Sequence, residues 1–457
     1  MSENSPENAP EQLSFGTAVR FWLKLGCISF GGPAGQVALM HRELVDRRRW
    51  ISESRFLHAL NYCLLLPGPE AQQLATYIGW LFHGIPGGIV AGGLFILPSL
   101  LLLILLSGLY VAFGEQPLIA AALNGAKLAV VAIVVSALIK LARRSLRNWL
   151  SWSLAILSFL SLSWLELPFP AVILFAGLVG FLAQRFGYPL QAARASLPQH
   201  SQELGSDSHK SYLHDDETAI PEHAQYSVRR TIGLIAAGLL LWGIPLAGLL
   251  IWQGSSSTFT EMALFFSVAA LVTFGGAYAV LPYVAEKAVD RAGWLTSEQM
   301  IDGLALGETT PGPLIMIVAF VGYLGGAQTT GWGVWGGILG AAVSAWYTFL
   351  PSFFLIFLGA PLIEKSRGVA NLGSVLAGIS AAVVGVIAQL ALRFVLTTFW
   401  PTEEGISGAA RFSSADWVGI AFALFAILLV LRYQINLIGL IVAAIVFGLI
   451  RAIGRGA

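Results

Sequence analysis

The sequence predicts an all-α protein that crosses a membrane many times, built as two related halves joined by one extra span. Three observations carry that reading. The 457 residues are 56% hydrophobic and only 11% charged, where a soluble domain carries roughly 25%, so the chain lacks the polar surface to cover itself in water. Apolar runs of about 20 residues recur from end to end, as at 88–112, 232–252 and 417–431. Finally, blocks of sequence repeat at a fixed offset. A membrane β-barrel would alternate apolar and polar residues instead, and no such period of two is present.

The elements follow in order. Residues 1–13 form a polar, acidic tail, with no basic stretch ahead of an apolar core. No cleavable signal is expected there, and the first helix is retained. Residues 14–186 make the first repeat and 258–453 the second. Phe30-Gly31-Gly32 recurs as Phe274-Gly275-Gly276, Asp46 as Asp290, Trp50 as Trp294, and Pro67-Gly68-Pro69 as Pro311-Gly312-Pro313, each 244 positions on. Farther along the offset becomes 253, pairing Pro98-Ser99 with Pro351-Ser352 and Gly125 with Gly378. Between the repeats, 187–230 reads as a hydrophilic cytoplasmic linker. It holds His200, His209, His214 and His223, but without regular ligand spacing it is a tether and not a metal site. Residues 231–253 add one transmembrane helix with no partner in the first half. An odd span reverses everything after it, so about thirteen segments with inverted halves are expected, an arrangement that recurs among transporters.

Charge tests this topology, because cytoplasmic loops collect Lys and Arg. Basic clusters follow the first segment (Arg42, Arg47, Arg48, Arg49, Arg55), the fourth (Lys140, Arg143, Arg144, Arg147) and the sixth (Arg185, Arg194, Lys210, Arg229, Arg230). If every segment crossed fully, the first cluster would face the wrong side. A broken, partly re-entrant segment removes the conflict. The first segment ends at Gly31-Gly32-Pro33, and the second is broken at Pro67-Gly68-Pro69, where proline removes a backbone donor and clashes with the preceding turn.

Those breaks carry the chemistry. A helix that starts inside the membrane exposes backbone N–H groups and the positive end of its dipole, and proline suits its first turn. Two such starts facing each other would suit an oxyanion. The Phe-Gly-Gly stretches would let a second backbone approach closely, and Thr309 and Thr310 offer hydroxyls beside Pro311. Candidate substrate contacts are therefore Gly31, Gly32, Pro33, Pro67, Gly68, Pro69, Gln72, Lys127, Gly275, Gly276, Thr309, Thr310, Pro311, Gly312 and Pro313. Glu70 and Glu308 are the candidate proton-coupling carboxylates, since ionisable groups inside a membrane mark function. As a bland alternative, Glu70 caps its own helix and Lys127 snorkels to the interface. His58 and Asp302, equivalent in the two repeats, are second-tier relay candidates.

Other classes are not supported. No phosphate-binding loop, H-E-x-x-H or nucleophile elbow occurs, so an enzyme acting on lipid headgroups would lack its machinery. No cofactor or metal is expected, and the net charge of +1 gives no reason to invoke nucleic acid. Cys27 and Cys63 form no C-x-x-C pattern and read as packing residues.

The stretches "FGGPAGQ", "RRRW" and "LLLPGPEAQQLATYIGW", with "FGGAYAVLPYV" and "DGLALGETTPGP" in the second half, resemble the chromate ion transporter family in its long-chain, two-domain form. The resemblance covers nearly the whole chain apart from linker and tails. It implies a multi-pass carrier of the bacterial plasma membrane that expels chromate and confers resistance, with sulfate as a related partner. An oxyanion importer and an anion channel remain alternatives, and both monomer and homodimer are left open. One departure is Ala277 where the first half has Pro33, so the two breaks need not be equal.

Overall fold

The computed structural model describes residues 13–165, 167–188, 190, 213, 225–274, 276–365, 373–400, 415–433 and 435–454. The tail before residue 13, the four linker histidines and Gly275 lie outside them. Helix α1 (Phe15–Ile28) leads to α2 (Gly32–His41), a π-turn at Arg42–Arg47 and α3 (Glu53–Leu65). Helix α4 (Glu70–Phe113) is interrupted at His83 and Gly84. Helices α5 (Pro117–Ser145), α6 (Trp149–Ser163) and α7 (Phe169–Arg185) follow, then α8 (Val228–Gln253).

The series then repeats. Helices α9 (Thr258–Val272) and α10 (Ala277–Ala285) precede a second π-turn, Glu286–Arg291. Helix α11 (Ser297–Thr309) runs through a 3-10 turn, Leu314–Met316, into α12 (Ile317–Thr329). Helices α13 (Gly333–Lys365), α14 (Gly373–Phe399), α15 (Trp417–Arg432) and α16 (Leu437–Gly454) complete the chain. No β-strand occurs among the described residues. Six helices are long and apolar enough to cross a bilayer, and shorter apolar helices accompany them. The protein is an all-α polytopic membrane protein.

Local chemistry explains the element ends. Ser52 and Thr296, 244 positions apart, cap α3 and α11 by accepting from the backbone N–H of Arg55 and Gln299, each satisfying an orphan donor. Both of those helices have 13 residues. At ~1.5 Å per residue each is roughly 20 Å long, short of the ~30 Å hydrocarbon thickness. The interruption of α4 sits at Gly84, whose φ of 64° suits only a residue without Cβ.

Packing interleaves the halves. Helix α5 lies against α15 and α16, and α14 lies against α6 and α7. Glycine makes both seams. A Cβ on Gly125 would strike the Ala444 carbonyl and Gly448, and one on Gly378 would strike the Ala176 carbonyl and Gly180. Small residues let membrane helices close on each other where lipid offers no hydrophobic drive to associate. Helix α8 stays peripheral, held to the second half by Trp242 Nε1 donating to Ser267 Oγ (2.8 Å) and Tyr347 Oη donating to the Trp242 carbonyl (3.1 Å). Of the cysteines, Cys63 is buried but Cys27 is exposed on α1, so only Cys63 packs as expected.

In the charged stretch outside the membrane-spanning helices, His41 bridges Asp46 (Nδ1 to Oδ2 3.4 Å) and Glu53. Burial alone lowers its pKa, but the hydrogen bond and charge of Glu53, then of Asp46, outweigh that and hold it above the ordinary 6.5.

Two outcomes follow. Gly378→Leu should overfill the α14·α7 seam and destabilise by about 1–3 kcal/mol or more, seen as a lower melting temperature in detergent, with an exposed control such as Gly248→Leu unaffected. A raised folded pKa makes the His41 contribution complete below 6.5 and lost as pH rises through the raised value. Wild type should therefore out-melt His41→Gln at low pH, with the gap closing as pH rises. A gap constant with pH would mean that charge plays no part.

Candidate functional site

The helix breaks of the two halves interlock. The N–H of Gly68 donates to the carbonyl of Thr273 (2.8 Å), and the N–H of Gly312 donates to the carbonyl of Ser29 (2.7 Å). Ser29 and Thr273 are themselves repeat equivalents, at the ends of α1 and α9. Each half thus lays the end of its first helix on the Pro-Gly-Pro break of the other. Gly68 and Gly312 have φ of 124° and 101°, and their surroundings also match. A Cβ on Gly68 would collide with the Ser352 hydroxyl, and one on Gly312 would collide with Cβ of Ser99. Pro69 and Pro313 then take the cap positions ahead of Glu70 and Leu314.

Polar groups gather around this crossing. Gln36 Nε2 donates to the carbonyls of Gly312 and Ser29, and Gln73 Nε2 donates to the Pro67 carbonyl (2.7 Å). Gln72 Nε2 donates to Thr76 Oγ1 (2.9 Å). The Ser29, Ser99 and Ser352 hydroxyls and the Oε1 atoms of Gln36, Gln72 and Gln73 are buried without a hydrogen-bond partner. Leaving such a group unsatisfied costs about 1–3 kcal/mol, so this concentration suits a polar ligand better than packing.

Two carboxylates contact residues of one short stretch, Glu70 at Gly276 and Glu308 at the Tyr278 hydroxyl. Glu70 opens α4, buried, with its oxygens 3.6 and 3.7 Å from where a Gly276 Cβ would lie. Glu308, equally buried on α11, accepts from Tyr278 Oη (2.6 Å). Gly276 and Tyr278 are two residues apart, so the start of α10 touches both. Gly276 has φ of 97°, and its first-half equivalent Gly32 has φ of 70°. The site therefore draws on α1, α2, α4, α9, α10, α11 and α13.

The remaining sequence candidates fall around this crossing or beside it. Gly31 and Pro33 lie at the exposed to half-buried start of α2. Thr309 and Thr310 donate to the carbonyls of Leu306 (2.7 Å) and Gly307 (2.9 Å), so they close α11 instead of capping the helix that follows. Pro311 is buried. Lys127 Nζ lies 3.6 Å from Asp302 Oδ1, 3.9 Å from Glu298 Oε2 and 3.3 Å from Asn124 Oδ1, and Tyr110 Oη donates to Asp302 Oδ2 (3.0 Å). This group borders a cavity of about 380 Å³ between α4, α5 and α11, and its lysine charge is met by Asp302 and Glu298. His58 is half-buried on α3. Sequence reasoning missed Ser29, Gln36, Gln73, Ser99, Ser352 and Tyr278. A signal existed for two of them: Pro98-Ser99 and Pro351-Ser352 place a hydroxyl after proline in an apolar helix, at repeat-related positions.

Comparison with known proteins identifies the family. The chromate transporter family model matches residues 17–181 and 260–449. The chain belongs to the chromate transporter family. It is 30% identical to the chromate transport protein of Pseudomonas aeruginosa over 97% of this chain and 94% of that one. It is 29% identical to a probable chromate transport protein of Synechococcus elongatus, covering 81% of each chain. With the chromate transport protein of Cupriavidus metallidurans it shares 26% identity over 81% of this chain and 80% of that one. No solved structure matches.

The two glycines give a discriminating pair of measurements. Gly68→Ala and Gly312→Ala should each destabilise by about 1–3 kcal/mol of backbone strain alone, read as a lower melting temperature. Adding Ser352→Ala should recover part of the loss in Gly68→Ala, because the hydroxyl is the obstacle. Adding Ser99→Ala should not help Gly312→Ala, because the obstacle there is Cβ.

Proposed function

We propose that the chain is a secondary transporter that exports chromate, a tetrahedral dianion, across the bacterial inner membrane and so confers chromate resistance. The observation that carries this reading is the reciprocal crossing of the two Pro-Gly-Pro breaks, ringed by buried serine and glutamine groups that lack partners. Its free donors are uncharged, namely the Ser29, Ser99 and Ser352 hydroxyls and the second N–H of the Gln72 and Gln73 amides, as suits an oxyanion that must bind and then leave. The relatives' names supply chromate as the substrate. Sulfate competes because its size and charge are alike.

The two repeats, 14–186 and 258–453, would then be inverted halves separated by the 187–230 linker and the 231–253 helix. The substrate lies between the breaks, and the halves rock about it to open the site to each face in turn. The contact set comprises the candidates at the breaks together with Ser29, Ser99 and Ser352. Glu70 and Glu308 couple transport to protons. An ionised carboxylate beside a dianion is repulsive, so proton uptake by either one favours anion occupancy.

Chromate flux in proteoliposomes under an imposed pH gradient tests this, comparing wild type with Glu70→Gln and Glu308→Gln. Wild type should accumulate chromate against its gradient, saturably, with sulfate competing. One Gln variant should still bind chromate yet lose its dependence on the gradient. Wild-type behaviour in both variants would reduce the glutamates to helix caps, and unsaturable flux would indicate a channel.

A further inference from the structure

The two halves repeat in sequence but not in packing. In the second half, α10 lies against α14, and α11 lies against α5 and α14. The equivalent helices of the first half, α2 and α3, make their seams with α4. At several equivalent positions the first-half surface is more open. Asn61 on α3 is exposed while its equivalent, Ala305, is buried, and half-buried His58 corresponds to buried Asp302. The hydrophobic interior divides in the same way. Helices α1 to α3 and the start of α4 form a core of their own with Ile356, Phe357 and Ala360 of α13, whereas the second-half helices share one core with α5 and α14.

An ion pair accompanies the closed seam. Arg393 of α14 grips Asp290 of the π-turn with both guanidinium nitrogens (2.5 and 2.6 Å) and donates to Ser297 Oγ (2.9 Å). Bidentate arginine–carboxylate pairing of this kind fixes orientation as well as distance. Each partner has a first-half counterpart. Asp46 corresponds to Asp290 and Glu53 to Ser297 by the offset of 244, and Lys140 corresponds to Arg393 by the offset of 253. Lys140 nevertheless stands exposed on α5, with no ion pair among the described residues. His41, whose equivalent is Ala285, sits between Asp46 and Glu53 instead. The open half thus keeps the acceptor pair of the latch, with a local histidine occupying the place that the distant cation fills in the closed half.

We propose that Asp46, Glu53 and Lys140 are the alternate latch of the transport cycle. In the opposite end state, α2 and α3 dock on α5 and α14, Lys140 takes Asp46 and Glu53 from His41, and Arg393 releases Asp290 as α10 and α11 undock. This rests on the reading of the chain as a carrier with inverted halves, and it names the residues that hold each end of the stroke. The two latches exclude each other because one central pair, α5 and α14, serves both hairpins.

The test uses a chain with Cys27→Ser and Cys63→Ser, carrying Asn61→Cys as a reporter for maleimide in membranes. Two disulfide locks are compared, Asp290→Cys with Arg393→Cys and Asp46→Cys with Lys140→Cys. The 290–393 lock should leave position 61 labelled. The 46–140 lock should form and protect position 61, slowing labelling by about tenfold or more as the open population is withdrawn, with reduction restoring it. The proposal falls if the 46–140 lock never forms under any gradient or chromate concentration, or if position 61 labels equally in both locked forms. Charge exchange guards against a failure to fold. Lys140→Asp alone should impair chromate flux, and Asp46→Lys added to it should restore flux; a double variant no better than the single one overturns the pair. Labelling needs no substrate, so a chain that passes the locking test while moving no chromate would sink the substrate reading and leave the latch standing.

Discussion

Backbone amides inside a bilayer have no water to turn to, and the architecture of this protein follows from how its broken helices meet that constraint. Each half interrupts two helices, and each interruption frees donors and carbonyls that must be satisfied within the protein. The solution is mutual. Gly68 donates to the end of α9 and Gly312 to the end of α1, so each half completes the hydrogen bonding of the other. Glycine is required at both points because the backbone takes a left-handed turn and the neighbouring Ser352 or Ser99 leaves no room for a side chain.

The function proposed above centres on the same crossing. On that proposal, hydroxyls and amides would hold a dianion without burying a permanent counter-charge, which would bind it too tightly to release. The charged groups stand one step back. Glu70 lies by Gly276 and Glu308 takes the Tyr278 hydroxyl, both at the start of α10, while Lys127 is met by Asp302 at the edge of a separate cavity. The hairpin bearing α10 and α11 is packed on the central helices and its counterpart is not, so the two halves present the same parts in different degrees of closure.

Much of this was legible in the sequence, for identifiable reasons. Proline and glycine act on the backbone locally, so the breaks at 67–69 and 311–313 and the entry at Gly31 and Gly32 could be located without coordinates. The repeat offsets set which helix corresponds to which, down to the matching π-turns at Arg42–Arg47 and Glu286–Arg291. Partnership was not legible. Nothing local shows that Gly68 would reach Thr273, or that Lys127 would be met by Asp302, because both contacts cross between halves. Thr309 and Thr310 show the same limit: a hydroxyl before a helix start also follows a helix end, and here the preceding carbonyls claim it. Ser99 and Ser352 were legible as a repeat pair but not as site groups, because a serine in an apolar helix is ordinarily satisfied by its own preceding turn.

The exchange of arms between the halves bears on how such a chain could arise. Helix α5 finds its partners in α15 and α16, and α14 finds its own in α6 and α7, so a single half-length chain would leave its central helix bare on the face that matters. Two half-length chains trading those arms would rebuild the same glycine seams without any covalent connection. The long chain is in this sense a tethered pair. What the tether adds is a fixed ratio of the two copies and the freedom for them to diverge. Divergence is already visible at Ala277 opposite Pro33, at Ser380 opposite Lys127 and at Lys140 opposite Arg393.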